Sequence, residues 1–382
     1  MLSHRHLQSV ALLSLLAVFS AHAAEPRPTP APPVIGAKSY LIIDSKSGHE
    51  LASLEPDRRL APASLTKLMT AYVLFHALQD EQIRLEDIVT VSEKAWRTPG
   101  SRMFIEVGKQ VSVQDLTLGM IVQSGNDASV ALAEHVAGSE SVFAELMNQH
   151  ARSLGMLSSS FVNATGLPDA DHFSTARDLS TLARAIIEEF PEYYKWYSVR
   201  EFTYNDIKQP NRNNLLWRDD SVDGMKTGHT DDAGYCLVAS ASRNGMRLIS
   251  IVLGTSSAKA RINGGHALIN YGFRFFETRL LYKSGEEITS ARIWKSANEI
   301  TRLGVLDDLY ITIPRGSYDA LESVLSVPTV LLAPVAEGQP LAEIKVSLYG
   351  KDLVNEPLRA LGDNPAGSFW QRTRDGVSLL FE

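Results

Sequence analysis

Apolar residues change their period several times along this chain, and the order of those changes limits the fold more than any other feature. Tyr40-Leu41-Ile42-Ile43 reads as a first strand, with a turn over 45–48 and a second short strand after it. From about residue 63 to 190 the pattern is mostly helical, with Leu65, Leu68, Met69, Tyr72 and Phe75 recurring at helical spacing. Ser112 with Asp115 three residues on predicts a capped helix start. A further helix is expected from Asp127 to Ala137, stopped by Gly138. Strands return after residue 200. The runs 235–241 and 247–253 flank Arg243-Asn244-Gly245-Met246, a strong hairpin signal. A helix carrying Leu268, Ile269, Phe273 and Phe276 closes this part. From about residue 278 the runs 309–313, 329–332 and 344–348 are short and β-like, punctuated by Gly and Pro, and predict a second, all-β domain.

Length agrees with two domains, because 382 residues exceed what one typical core holds. A composition of 44% hydrophobic and 21% charged residues is that of a globular protein. The net charge of −7 and the lack of a dense Lys/Arg run argue against nucleic acid as a partner. With one cysteine, Cys236, the chain cannot staple itself and must rely on ordinary cores. The ten His residues are scattered, with no His-Glu-x-x-His and no Cys/His cluster, so no metal and no cofactor is expected.

Both ends carry further information. His4, Arg5 and His6 precede an apolar run over 10–19, and Ala21-His22-Ala23 follows with a small-x-small pattern. Residues 1–24 therefore read as a cleaved secretory signal, too short to span a bilayer, with an uncleaved anchor as the alternative. No Cys follows the apolar run, which excludes a lipoprotein. Five prolines make residues 25–36 an extended linker. At the other end, residues 366–382 form an amphipathic tail. Phe369, Trp370, Thr373, Val377, Leu380 and Phe381 share one helical face, and Gln371, Arg372, Arg374, Asp375 and Ser378 lie elsewhere. Such a segment lies in a membrane interface, packs on the second domain or frays, and Gly376 weakens the helix by about 1 kcal/mol.

Three short motifs occur in order: Ser64-Leu65-Thr66-Lys67, Ser124-Gly125-Asn126 and Lys226-Thr227-Gly228. The first two types are weak alone. Ser256 to Lys259 is also S-x-x-K, and Ser242 to Asn244 and Ser296 to Asn298 are also S-x-N. Context separates them. Ser64 follows Pro62 and opens a helical pattern, and the single K-T-G falls just before the hairpin, where a strand is expected. Residues three apart on a helix are neighbours, so Lys67 can reach the Ser64 hydroxyl. That hydroxyl is a poor nucleophile until a base takes its proton. A buried lysine near a second cation, here Lys226, can have its pKa lowered enough to serve. A helix N-terminus at Ser64 favours developing negative charge. Ser124 offers a hydroxyl to relay a proton to a leaving amine, and Asn126 an amide for a substrate carbonyl. Thr227 and Gly228 offer a strand edge that a peptide can extend. The set matches the active-site signature of serine β-lactamases and penicillin-binding proteins.

Longer segments carry a closer resemblance: Pro62 to Lys67 (P-A-S-L-T-K), Gln123 to Ala128 (Q-S-G-N-D-A), Val222 to Gly234 (V-D-G-M-K-T-G-H-T-D-D-A-G) and Gly272 to Thr278 (G-F-R-F-F-E-T). The chain resembles the low-molecular-mass D-alanyl-D-alanine carboxypeptidases among penicillin-binding proteins. That resemblance implies an α+β, serine β-lactamase/DD-peptidase-like catalytic domain over 37–277, with an antiparallel sheet flanked by helices. A β-rich domain over 278–365 and the tail would follow. It implies that Ser64 attacks the terminal D-Ala-D-Ala bond of a peptidoglycan pentapeptide, with Lys67 as base and Ser124 and Lys226 completing the proton network. The oxyanion hole would be the N–H groups of Ser64 and His229. Arg261 resembles the arginine that helps bind the terminal carboxylate, and Asn126, Thr227 and Gly228 would hold substrate. Penicillin and other β-lactams would acylate Ser64. The stretch 163–178, with Asp178 in Ser-Thr-Ala-Arg-Asp, resembles the loop edging this site. The implied location is periplasmic, peripheral on the outer face of the inner membrane.

Two departures stand out. Cys236 stands where Asn is expected, and the tail is short and of mixed charge, which puts tight anchoring in doubt. Three rival readings share the motifs. A class A β-lactamase needs a deacylating Glu, which 163–178 lacks. An endopeptidase cutting peptidoglycan cross-links differs on the acceptor side of the site. A penicillin-binding scaffold would acylate and turn over slowly.

Overall fold

A computed structural model describes residues 29–381, so the expected signal, 1–24, and the start of the linker lie outside the described residues. The first domain is organised by a five-stranded antiparallel sheet. Its strands run in the order Glu50–Leu54, Ser39–Asp44, Met246–Thr255, Gly234–Arg243, Val222–Thr230. Strands from both ends of the domain pair: Leu41 lies opposite Ile251 and Ile43 opposite Ile249. The hairpin turns at Asn244 (φ 51°) and Gly245 (φ 81°), both left-handed, as the tight turn between twisted strands requires.

Side chains alternate across the sheet, and helices cover both faces. Leu41, Ile43, Val238, Ile249 and Ile251 enter the core shared with the helical layer. Ile42, Leu237, Leu248 and Val252 pack with Leu268 and Ile269 of the Ala258–Phe275 helix. Two-sided burial is why the run over 247–253 reads as almost continuously apolar. In the helical layer, the Lys67–Gln79 helix is buried on nearly every side, with only His76 and its last residue left out. It packs against the Asn126–Ala137, Glu140–Ser153 and Ala176–Glu189 helices. A polar residue on such a helix, Lys67 above all, is desolvated by its place in the fold.

The closing helix ends at Phe275, and Phe276 begins a strand, Phe276–Tyr282. Its ring still packs on Tyr271, at 5.8 Å, which is why it keeps helical spacing in the sequence. The second, all-β domain holds a five-stranded sheet in the order Glu287–Arg292, Ile300–Gly304, Lys351–Ala360, Pro340–Leu348, Leu321–Ser326. Its core is separate, built on Ile293, Leu303, Ile313, Ile344, Val346 and Leu358.

One expectation fails here. The run 329–332 is not a strand. Pro328 and Pro334 bracket it, and only Leu332 forms an isolated bridge, to Trp294. The tail is a helix, Phe369–Ser378, and it packs on the second domain, one of the alternatives its sequence left open, by its polar side. The buried Asp375 carboxylate accepts from the Lys295 N–H at 2.7 Å, and Arg374 pairs with Glu299 at 3.2 Å. Phe369, Trp370, Val377, Leu380 and Phe381 remain exposed.

Candidate active site

Ser64 lies in a 3-10 turn, Ala63–Thr66, that runs directly into the helix beginning at Lys67. The Lys67 side chain is 1% exposed, and its Nζ sits among three acceptors: Ser64 Oγ at 2.9 Å, Asn126 Oδ1 at 2.6 Å and the Thr165 carbonyl at 2.7 Å. The chemistry of those acceptors matters. Asn126 Nδ2 donates to the Pro99 carbonyl at 2.6 Å, which can only accept, so Oδ1 must face Lys67. A neutral amine has two N–H donors and one lone pair. The Asn126 and Thr165 oxygens take both N–H groups, leaving the lone pair for the Ser64 hydroxyl proton. The pKa of Lys67 is lowered to about 7, chiefly by burial, with the Asp127 carboxylate pulling the other way.

Ser124 is placed by a backbone irregularity. Residues Gly119–Gln123 widen into a π-type turn, and Ser124 follows in the left-handed region at φ 67°. The N-cap of the next helix is Gly125, so Ser124 is not spent as a cap. The buried Asp127 carboxylate ties this turn to the neighbouring loop, accepting from the N–H groups of Met103 and Phe104 at 3.0 Å and of Ile105 at 3.3 Å. Among the described residues no hydrogen bond joins Ser124 or Lys226 to Ser64 or Lys67.

Lys226, Thr227 and Gly228 lie on Val222–Thr230, an edge strand whose outer side is unpaired. Gly228 is required by contact: a Cβ there would stand 2.9 Å from the Pro62 carbonyl oxygen and 3.2 Å from the Ser64 nitrogen. The K-T-G strand and the nucleophile turn therefore touch backbone to backbone. His229 is exposed, its ring 3.9 Å from that of Tyr235. Lys226 is buried, and among the described residues its Nζ donates only to the Thr227 carbonyl, at 3.1 Å. Burial first, then the nearby cations Lys67, Arg261 and Arg212, push it well below the ordinary lysine range. Arg261 donates from Nη1 to the Gly228 carbonyl at 2.9 Å, while its buried Nε has no partner among the described residues. Cys236 lies opposite Gly228 and is fully buried. Its Sγ accepts from the Gly254 N–H at 3.5 Å, and burial raises its thiol pKa, as for a core residue.

Four contributors escaped the sequence reading. Two are backbone carbonyls, of Thr165 and Pro99, and a carbonyl has no residue signature. Arg212 is a side chain whose spacing carries no motif, and Asp127, though inside the Gln123 to Ala128 segment, has no role assigned by that reading. Asn126, assigned to substrate, has its Oδ1 and one Nδ2 hydrogen already engaged within the site. Asp178 is turned to the fold: its carboxylate accepts from the Ser158 N–H at 3.0 Å and the Ser159 hydroxyl at 2.7 Å.

Known proteins are similar to this chain over most of its length. The family described as D-alanyl-D-alanine carboxypeptidase matches residues 27–257, and the penicillin-binding protein 5 C-terminal domain matches 276–365. The D-alanyl-D-alanine carboxypeptidase DacC of Escherichia coli (strain K12) is 43% identical over 358 residues, covering 91% of this chain and 89% of the relative. Penicillin binding protein 5 from Haemophilus influenzae superposes with a TM-score of 0.86 at 43% identity, over 88% of this chain and 99% of that one. Penicillin-Binding Protein D2 from Listeria monocytogenes, solved in the ampicillin bound form, superposes with a TM-score of 0.58 at 32% identity, over 63% of this chain and 98% of that one. The chain belongs to the serine-type D-alanyl-D-alanine carboxypeptidase family of low-molecular-mass penicillin-binding proteins.

Proposed function

We propose that this serine D-alanyl-D-alanine carboxypeptidase removes the terminal D-alanine of peptidoglycan stem peptides through an acyl-enzyme on Ser64. The observation that carries the residue assignment is the pair of acceptors on Lys67, Asn126 Oδ1 and the Thr165 carbonyl, which leaves one lone pair for one proton, that of Ser64. Lys67 accepts the hydroxyl proton as Oγ attacks the carbonyl of the penultimate D-alanine. The N–H groups of Ser64 and His229 hold the oxyanion. Ser124 passes the proton to the departing amine, with bound substrate completing the contacts that Ser124 and Lys226 do not make directly. Water then attacks the ester, releasing the shortened peptide and restoring the Ser64 hydroxyl.

Substrate approaches as an added strand along Thr227 and Gly228. Its terminal carboxylate meets Lys226, Arg212 and Arg261, cations that crowd one another in the free site and whose repulsion an anion relieves. The Arg261 Nε, which has no partner among the described residues, supports that placement. A β-lactam enters by the same contacts and acylates Ser64. Mass mapping of a penicillin-treated sample tests the assignment: the adduct is expected on the peptide holding Ser64, and an adduct elsewhere contradicts it.

The same reading places the enzyme in the periplasm, peripheral on the outer face of the inner membrane. Two observations support it: the signal-like pattern over 1–24, and a tail helix held by Asp375 with its aromatic face outward. Among the described residues no helix is long and apolar enough to cross a membrane.

A further inference from the structure

The chemistry proposed for Lys67 depends on the Thr165 carbonyl, and that carbonyl sits on a loop with no strand or helix of its own. The loop needs something to hold it against the nucleophile turn. Asn163 shapes its tip, accepting from the Thr165 N–H at 3.1 Å, the Thr165 hydroxyl at 2.9 Å and the Gly166 N–H at 2.7 Å. Gly166 (φ 82°) lies flat on the turn: a Cβ there would come 1.8 Å from the Ala63 carbonyl oxygen and 2.8 Å from Thr66 Oγ1. The Thr70 hydroxyl donates to the Ala164 carbonyl at 2.7 Å.

His172 joins the two parts from the loop's far end. It is 3% exposed. The Val162 N–H points at its Nδ1 at 3.3 Å, and its Nε2 lies 2.7 Å from Thr66 Oγ1. Since an N–H can only donate, Nδ1 must be bare, and Nε2 then carries the ring proton and donates to Thr66. The ring stays neutral: burial first, and then the Lys67 charge, push its pKa down to about 4 against the pull of Asp169. Thr66 is itself fully buried and stands between Ser64 and Lys67 in the turn.

We propose that His172 is a positioning residue that clasps the 162–172 loop to the Ser64–Lys67 turn and so keeps the Thr165 carbonyl on Lys67. It touches no reacting atom. With the clasp cut, the loop lifts, water reaches Lys67, and the amine loses both its second acceptor and its burial. The charged groups facing Lys67 are then unchanged (Asp127 and Lys226), so the loss of burial decides the direction, and the lysine becomes harder to deprotonate. The inference rests on Lys67 being the base.

Its two bonds can be cut separately. His172→Asn keeps an acceptor near Nδ1 but cannot reach Thr66. His172→Gln keeps a donor near Nε2. Thr66→Val removes the other partner and leaves the histidine in place. The assay is the rate of Ser64 acylation by fluorescent penicillin from pH 5 to 9, with thermal midpoints measured alongside. His172→Asn and Thr66→Val are expected to slow acylation about tenfold or more and to move the acidic limb of the profile upward, as misplacement of a catalytic group does. His172→Gln is expected to stay near wild type. The double variant Thr66→Val/His172→Asn should be no slower than the slower single one, because both remove the same bond. Wild-type rates and limb in both single variants, or additive losses, overturn the proposal, as does an equal defect in His172→Gln. If the His172→Asn chain does not fold, the contrast of Thr66→Val with His172→Gln decides alone. A wild-type enzyme that is not acylated at Ser64 would instead remove the base assignment beneath it.

Discussion

The pH dependence of acylation follows from where Lys67 sits. An ordinary lysine holds its proton to about pH 10.5, so an exposed base of this kind would lose rate tenfold for each unit below that. Burial lowers the Lys67 value to about 7. About half of the molecules then carry the neutral amine at pH 7, about one in ten at pH 6 and about one in a hundred at pH 5. Second-order acylation by penicillin should therefore be nearly flat above pH 8, fall through half its plateau near pH 7, and drop about tenfold per unit below pH 6. The Asp127 carboxylate, which favours the ammonium, should hold that limb up, so Asp127→Asn should shift it downward in any fraction that folds. Stopped-flow quenching with a fluorescent penicillin, at constant ionic strength, measures the profile. A limb that still rises steeply between pH 8 and 10 would refute the reasoning, because burial would then not have prepared Lys67. A rate flat from pH 5 to 8 would refute it too, since no group titrating near 7 would then control the nucleophile.

Other outcomes follow from the same geometry. Gly228→Ala sets a methyl group 2.9 Å from the Pro62 carbonyl oxygen and 3.2 Å from the Ser64 nitrogen, so the edge strand must retreat from the nucleophile. Acylation should fall at least about tenfold, with a stability loss of about 1–3 kcal/mol in chemical denaturation. Lys67→Met tests the cost of burying the lysine. The folded value, about 7, lies below the unfolded one, 10.5, so the penalty is fully present below pH 7 and fades as pH rises toward 10.5. The variant's stability relative to wild type should thus fall across that window, from a removed penalty of at most about 5 kcal/mol that the orphaned Asn126 and Thr165 oxygens partly offset. A constant difference between pH 6 and 10 would contradict it. Phe369→Ser with Trp370→Ser should weaken sedimentation with anionic phospholipid vesicles about tenfold and leave penicillin acylation unchanged. Equal sedimentation of both proteins would remove the membrane assignment.

What could be read from the sequence was local chemistry. Asn244-Gly245 announces its turn because two left-handed residues are required there, and few pairs supply them. Ser64 and Lys67 are legible as a pair because three residues is a fixed distance on a helical turn. Leu41 and Ile251 read as sheet residues, but their pairing across the domain is set by topology, which no short pattern carries. The missing half of the site is backbone: the Thr165 and Pro99 carbonyls act through position, and any residue type brings a carbonyl. The alternatives for the tail stayed open for a related reason. Its amphipathic pattern says that one face differs from the other, not which face meets protein, and a single buried carboxylate, Asp375, turned the apolar face outward. The run 329–332 failed because its apolar residues suit a strand while its flanking prolines remove the donors a strand needs.

The assignment of this chain as a working carboxypeptidase with Ser64 as nucleophile comes down to released D-alanine. Wild type and Ser64→Ala would be incubated in parallel with diacetyl-L-Lys-D-Ala-D-Ala, after both are shown to fold by their thermal midpoints, and free D-alanine measured over time. Release by the wild type and none above background from Ser64→Ala is the expected result. A folded wild type that is acylated by penicillin yet frees no D-alanine, or a Ser64→Ala protein that frees it at the wild-type rate, would contradict the account.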